Sequence, residues 1–256
     1  MGTVIHIQKE APLLIHLHMP KTGGTTLKKI IRKNYPKQVV FDVYVDRKHL
    51  SSRLAELAEK HVQCIQGHFP FGVHQFFQQP STYITILRDP VDRIISEYYF
   101  IRSIPWHSLH PKVSSMSLQE YQQSPLTQNL QINYILGKKF GSPLSEDDFT
   151  QAKENLENYF SVVGITDMFD VSLFLMKEQF QWQNTVYTKA NVTNQRPKKH
   201  ELPEDIRTQI QQNNEWDMKL YQFAKQRLIE KIESFDIRTK KRLKVFKKTI
   251  LANNGQ

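Results

Sequence analysis

The chain has 256 residues, 39% of them hydrophobic, and a formal net charge of +10. That is enough apolar material for a packed core in one large domain or two small ones, and it excludes a collagen-like, disordered or disulfide-dense protein. A single cysteine, Cys64, cannot form an internal disulfide, and no apolar run approaches the ~18 residues that span a bilayer. The first twenty residues are interrupted by Lys9, Glu10, His16 and His18 and do not read as a signal peptide. The expectation is a soluble, cytoplasmic protein, with the Golgi lumen as the alternative if an N-terminal anchor has been removed.

The elements alternate. Residues 13–19 form a short apolar run that reads as a buried strand, followed by a turn at 20–24 and a helix over 25–34. A second strand is expected at 38–45, a helix at 51–60, and a short strand at 62–66 ending at Gly67. Residues 82–87, β-branched and aromatic, read as the clearest strand; Pro90 then suits the first turn of a helix running to about 102. A Pro- and Ser-rich loop covers 103–116, helices cover about 117–136 and 146–158, a buried strand 160–165 and a helix 171–180. A polar loop at 189–203 precedes helical sequence from 204 to about 250, with a break near Phe235. Strands alternating with helices predict an α/β fold, a central parallel sheet flanked by helices. The expected division is a domain over 1–234 and a basic C-terminal helix or tail over 235–256. That tail carries seven of the basic side chains against one acid, Asp236. It reads as a solvated helix face, or as a surface for an acidic partner; with Phe235 and Phe246 as its only aromatics it makes a poor nucleic-acid platform.

Two segments carry chemistry. Met19-Pro-Lys-Thr-Gly-Gly-Thr-Thr26 lies between a strand and a helix. Its glycines permit a tight turn and close approach of a ligand, the free amides at the helix start attract phosphate or sulfate, and Lys21, Thr22, Thr25 and Thr26 add a cation and hydroxyls. The lysine precedes Gly23 and Gly24, so this is not the nucleoside-triphosphatase loop, in which Lys follows the last glycine. The second segment, residues 83–100, puts Arg88 at the carboxyl end of a buried strand, with Arg93 and Ser96 sharing a face of the next helix. Arg88 and Ser96 would suit a second phosphate.

In this order and about 65 residues apart, the two segments resemble the signatures of sulfotransferases that use 3′-phosphoadenosine 5′-phosphosulfate, most nearly the heparan sulfate and uronyl 2-O-sulfotransferases. The resemblance extends to 66–68, 155–166 and 202–228, covering roughly residues 13–230. It implies the sulfotransferase variant of the P-loop-kinase-like fold, with Lys21, Thr22, Gly23, Gly24, Thr25 and Thr26 cradling the 5′-phosphosulfate and Arg88 and Ser96 holding the 3′-phosphate. Arg196 and Lys198, in the loop 194–199, would close over the nucleotide. The acceptor would be a saccharide hydroxyl. His68, one residue past Gly67 at the expected sheet edge, matches the family's catalytic base, with Lys21 stabilising developing charge. His16 and His18 project from one face of the first strand, but without a third ligand a metal site is not expected. Neither a nucleic-acid partner nor a membrane span is expected, and a homo-oligomer is left open. Three rival readings are a phosphotransferase using Asp89 to hold a metal, a non-catalytic nucleotide or glycan binder, and a protein acting through its basic tail.

Overall fold

The structure, a computed structural model, describes residues 11–125, 127–188 and 196–254. Among these residues five strands form one sheet: β1 (Leu13–Leu17), β2 (Val40–Val43), β3 (Cys64–Gly67), β4 (Ser81–Leu87) and β5 (Phe160–Ile165). Their order is β2-β3-β1-β4-β5 and every pairing is parallel. All five residues of β1 are buried, as a central strand covered on both faces requires.

Among the described residues eleven α-helices connect and cover these strands. They are α1 (Gly24–Asn34), α2 (Arg47–Ala58), α3 (Pro90–Arg102), α4 (His110–Val113), α5 (Leu118–Gln122), α6 (Leu130–Leu136), α7 (Glu146–Tyr159), α8 (Phe169–Phe180), α9 (Glu204–Asn213), α10 (Glu215–Glu233) and α11 (Ile237–Asn254). Helices α7, α8 and α10 pack on β5, and α11 packs on α8. A smaller apolar cluster joins α3 to α5 and α9 through Ile94, Ile95, Tyr121 and Ile210.

The predicted strands and the parallel sheet are present, with element ends moved by a few residues. The segment 117–136 differs more: it is two helices. Pro125 cannot supply the amide a continuous helix needs, and Asn129 turns into the left-handed region at φ 47°. The start of α6 is then held from a distance, because Asp217 accepts from the N–H groups of Gln131 and Ile132 at 3.0 and 2.8 Å. The segment 103–116 contains α4, and 204–254 breaks at Asn214 as well as near Phe235. Asn214 turns its side chain to the backbone of Asn129 and Ile210 at that break. The basic segment is a helix, α11, whose Leu243, Phe246 and Ile250 are buried in the main core while its cations face outward.

Candidate functional site

Strand order decides where the site lies. The chain leaves β1 through α1 to the sheet edge at β2, returns to β3 on one side of β1, and then adds β4 on the other side. The carboxyl ends of β3, β1 and β4 are therefore neighbours, the place where open parallel sheets bind ligands. The first residue after each strand is a polar side chain that takes part in the site: His18, Tyr44, His68, Arg88 and Thr166. A cavity of about 600 Å³ opens at this edge, lined among others by His18, Lys21, His68, Arg88, Ser96 and Thr166.

The turn after β1 uses two left-handed residues, Lys21 at φ 64° and Gly23 at φ 88°. Gly24 is demanded by a different constraint: a Cβ there would lie 1.9 Å from the His18 ring. Gly23, Gly24, Thr25 and Thr26 line the cavity at the start of α1. Thr22 does not line it. Its hydroxyl is buried and donates to the Met19 carbonyl at 3.0 Å, so Thr22 closes the turn and offers a ligand nothing from its side chain.

The Lys21 ammonium sits 3.6 Å from the centre of the Phe100 ring. Burial, with help from Arg88 and Arg196, lowers its pKa to about 8, and Glu97 opposes that shift. Arg88 ties the two segments together, because its Nη1 donates to the Lys21 carbonyl at 2.9 Å. Its backbone is clamped by Gln131, which accepts from the Arg88 N–H and donates to the Arg88 carbonyl, both at 2.9 Å. The Arg88 Nε is buried without a hydrogen-bond partner. A buried cationic donor left unpaired is costly unless an anion completes it. Ser96 is buried on the α3 wall of the same cavity.

Arg93 does not join Ser96 in the cavity. It is fully buried, donating to Glu97 at 2.8 Å and to the Thr127 carbonyl at 2.7 Å. Arg196 does line the cavity, with Nη1 3.5 Å from Asp92. Lys198 does not: it stands exposed outside the lining, and its neighbour Lys199 instead pairs with Asp89 at 2.8 Å. Residues 189–195, which include the start of the expected closing loop, lie outside the described residues. Asp89 is buried as the N-cap of α3 and paired to Lys199, so it does not face the cavity as a metal-holding acid would.

His68 lies at the cavity mouth, with its ring tilted against that of His18 (centroids 4.6 Å apart) and edge-on to that of Tyr44 (4.8 Å). Its Nδ1 lies 2.5 Å from the His18 carbonyl. A carbonyl only accepts, so Nδ1 carries the proton and the neutral ring presents the Nε2 lone pair. Loss of water around the ring holds its pKa below the ordinary 6.5, against the pull of the His18 carbonyl and Glu97. His18 hydrogen-bonds Tyr44 at 2.7 Å, and burial pushes its pKa down to about 2, so it is neutral at every working pH. His16, stacked on His18 at 5.3 Å and wholly buried, is neutral for the same reason. Among the described residues no group of three or more His, Cys, Asp or Glu side chains is arranged to hold a metal ion.

Tyr44, Gln131 and Thr166 stand outside the two sequence motifs. Thr166 shares its hydroxyl proton between the carbonyls of Thr22 and Leu87, at 3.0 and 3.1 Å, and so pins the turn to the end of β4. Tyr44 and Thr166 could have been found by taking the residue after each strand; Gln131 carries no local signal.

The cavity lies at the switch point of a parallel sheet, with a glycine turn on one side and, on the other, an arginine whose buried Nε has no partner, an arrangement suited to an anion. The galactose-3-O-sulfotransferase family model matches residues 33–248, and the chain belongs to that family. The matched span contains His68, Arg88 and Ser96 but begins after the glycine turn. Heparan-sulfate 6-O-sulfotransferase 3-B of Danio rerio is 25% identical over 86% of this chain. The chain spans 65% of that relative's length. Heparin sulfate O-sulfotransferase of Drosophila melanogaster is 26% identical over 84% of the chain and 72% of its own. The crystal structure of mouse sulfotransferase SULT7A1 complexed with PAP superposes with a TM-score of 0.40 at 13% identity, over 78% of this chain and 63% of that one. No helix among the described residues is long and apolar enough to cross a membrane.

Proposed function

We propose that the protein transfers a sulfuryl group from 3′-phosphoadenosine 5′-phosphosulfate to a hydroxyl of a saccharide. The observation that carries this reading is the Arg88–Lys21 hydrogen bond, which joins two anion-binding elements at one cavity mouth with a histidine of fixed tautomer beside them. The residues present fit the donor. Gly23, Gly24, Thr25, Thr26 and Lys21 would receive the 5′-phosphosulfate, and Arg88 and Ser96 the 3′-phosphate, with Arg196 reinforcing the positive field. When bound, the donor supplies an activated sulfuryl group and leaves as the 3′,5′-bisphosphate.

His68 Nε2 accepts the proton of the acceptor hydroxyl, while Nδ1–H stays on the His18 carbonyl and keeps the ring aimed. Lys21 and the amides at the start of α1 offset negative charge developing opposite the base. The names of the relatives support a saccharide acceptor, and they differ in the hydroxyl they specify, so the position is left to assay. The compartment read here is the cytoplasm, supported by the lone, buried Cys64, which leaves no internal disulfide to protect.

Calorimetry of the 3′,5′-bisphosphate against ATP tests the donor assignment, with the bisphosphate binding at least about tenfold more tightly. A preference for ATP, or turnover that depends on magnesium, would favour a phosphotransferase and overturn the reading. His68→Ala and Lys21→Ala should each remove most transfer of radiolabelled sulfate to oligosaccharides while leaving the fold intact; retained turnover in His68→Ala refutes the base.

A further inference from the structure

We propose that residues 103–116, the segment following α3, form the wall that binds the acceptor, and that they select an acidic saccharide; this rests on the sulfotransferase reading. Trp106 would offer its indole face to the apolar face of a pyranose ring, and His107 would donate a hydrogen bond to a ring substituent.

Three observations carry this. First, Trp106 is 86% exposed, the most exposed of the large hydrophobic side chains among the described residues. The backbone that holds it is nevertheless fixed. Arg102 Nη1 donates to the carbonyls of Ser114 and Met116 at 2.8 and 3.1 Å, the His107 N–H to the Ile104 carbonyl at 2.9 Å, and Val113 is buried beneath. An amphipathic ring displayed on a hydrogen-bonded segment contributes little to folding and leaves its face available to a ligand.

Second, His107 and Leu109, which follow Trp106 in the same segment, line the cavity that also holds His68 and Lys21, so the segment reaches the site although the Trp106 ring stands outside the lining. His107 rests edge-on against Phe100, the ring that carries the Lys21 ammonium. Its Nδ1 accepts from the Leu109 N–H at 3.1 Å, so in the neutral ring the proton is on Nε2. His68 and His107 therefore have opposite tautomers, each set by a backbone partner: one presents a lone pair, the other a donor. A sugar, with hydroxyls that both give and accept, matches that pair.

Third, the segment holds Lys112, His107 and His110 and no acidic residue. A uronate or sulfated sugar meets no like charge along this wall.

The test is calorimetry on the full chain, with and without the 3′,5′-bisphosphate, using heparan-type, chondroitin-type and neutral galactan oligosaccharides as probes. An acidic oligosaccharide should bind more tightly than the neutral one. Trp106→Ala should weaken it at least about tenfold, Trp106→Phe less than about threefold, and His107→Ala about fivefold with partial rescue by His107→Gln. Bisphosphate affinity should change less than about twofold in all four variants. The proposal fails if no oligosaccharide binds, if the neutral one binds best, or if Trp106→Ala binds like the wild type. A wild-type chain that binds oligosaccharide but not the bisphosphate would refute the donor reading and leave the acceptor wall standing.

Discussion

Gly24→Ala separates two reasons for glycine in one turn. The added Cβ would sit 1.9 Å from His18 Cδ2, 2.2 Å from Nε2 and 2.8 Å from Cγ. Ordinary contact is about 3.5 Å, so the ring must retreat by roughly 1.5 Å. It is not a flexible tip: it is buried, bonded to Tyr44 at 2.7 Å and stacked on His16. Overpacking of this kind costs about 1–3 kcal/mol, and loss of the Tyr44 bond adds about 1 kcal/mol. Removing glycine from the first turn of a helix returns about 1 kcal/mol, leaving a net loss of about 1–3 kcal/mol. Gly23→Ala makes only ordinary contact, its nearest neighbour being Phe169 at 3.5 Å, and costs only the left-handed backbone, about 1–2 kcal/mol. Urea unfolding of both variants, in wild-type and His18→Ala backgrounds, measures the difference. Gly24→Ala should become neutral or stabilising once His18 is truncated, a coupling above about 1 kcal/mol, whereas Gly23→Ala should cost the same in both backgrounds. Equal costs for Gly24→Ala in the two backgrounds would refute the contact between the turn and the His18 ring.

Three further outcomes follow from the same geometry. The pH profile of kcat/KM should be bell-shaped: His68 works as the neutral base, so activity rises through a pKa below 6.5, and Lys21 works charged, so activity falls as pH passes about 8. Lys21→Arg should move the alkaline limb up by more than a unit, and an unmoved limb would assign it to another group. Gln131→Leu should leave the Arg88 N–H and carbonyl without their partner; calorimetry should show loss of the 3′-phosphorylated nucleotide by about 1–3 kcal/mol and little change for adenosine phosphosulfate lacking that phosphate. Phe246→Ala, which opens a void between α11 and Phe174 of α8, should destabilise the fold by about 2–4 kcal/mol by urea unfolding, and a neutral result would mean that α11 is not part of the core.

The alternation of short apolar runs with helical periodicity, and the glycine and proline punctuation between them, are local properties. They were sufficient to read the parallel sheet, the turn at 20–24, and the placement of His68 and Arg88 one residue beyond their strands. Which side chain faces the cavity is not local. Thr22 and Thr25 are both hydroxyls in one turn, yet Thr22 is spent on the Met19 carbonyl while Thr25 lines the cavity. Arg93 and Ser96 share a helix face by spacing, but a buried guanidinium needs partners, and Arg93 is held by Glu97 and the Thr127 carbonyl. Lys198 and Lys199 are indistinguishable in sequence; only the position of Asp89 chooses between them. The break before α6 depends on Asp217, some 86 residues away, and the clamp on Arg88 comes from Gln131 on that same helix. A side chain's partner is fixed by strand order and packing, because hydrogen bonds and ion pairs need atoms within about 3–4 Å, and only the folded chain brings distant residues that close.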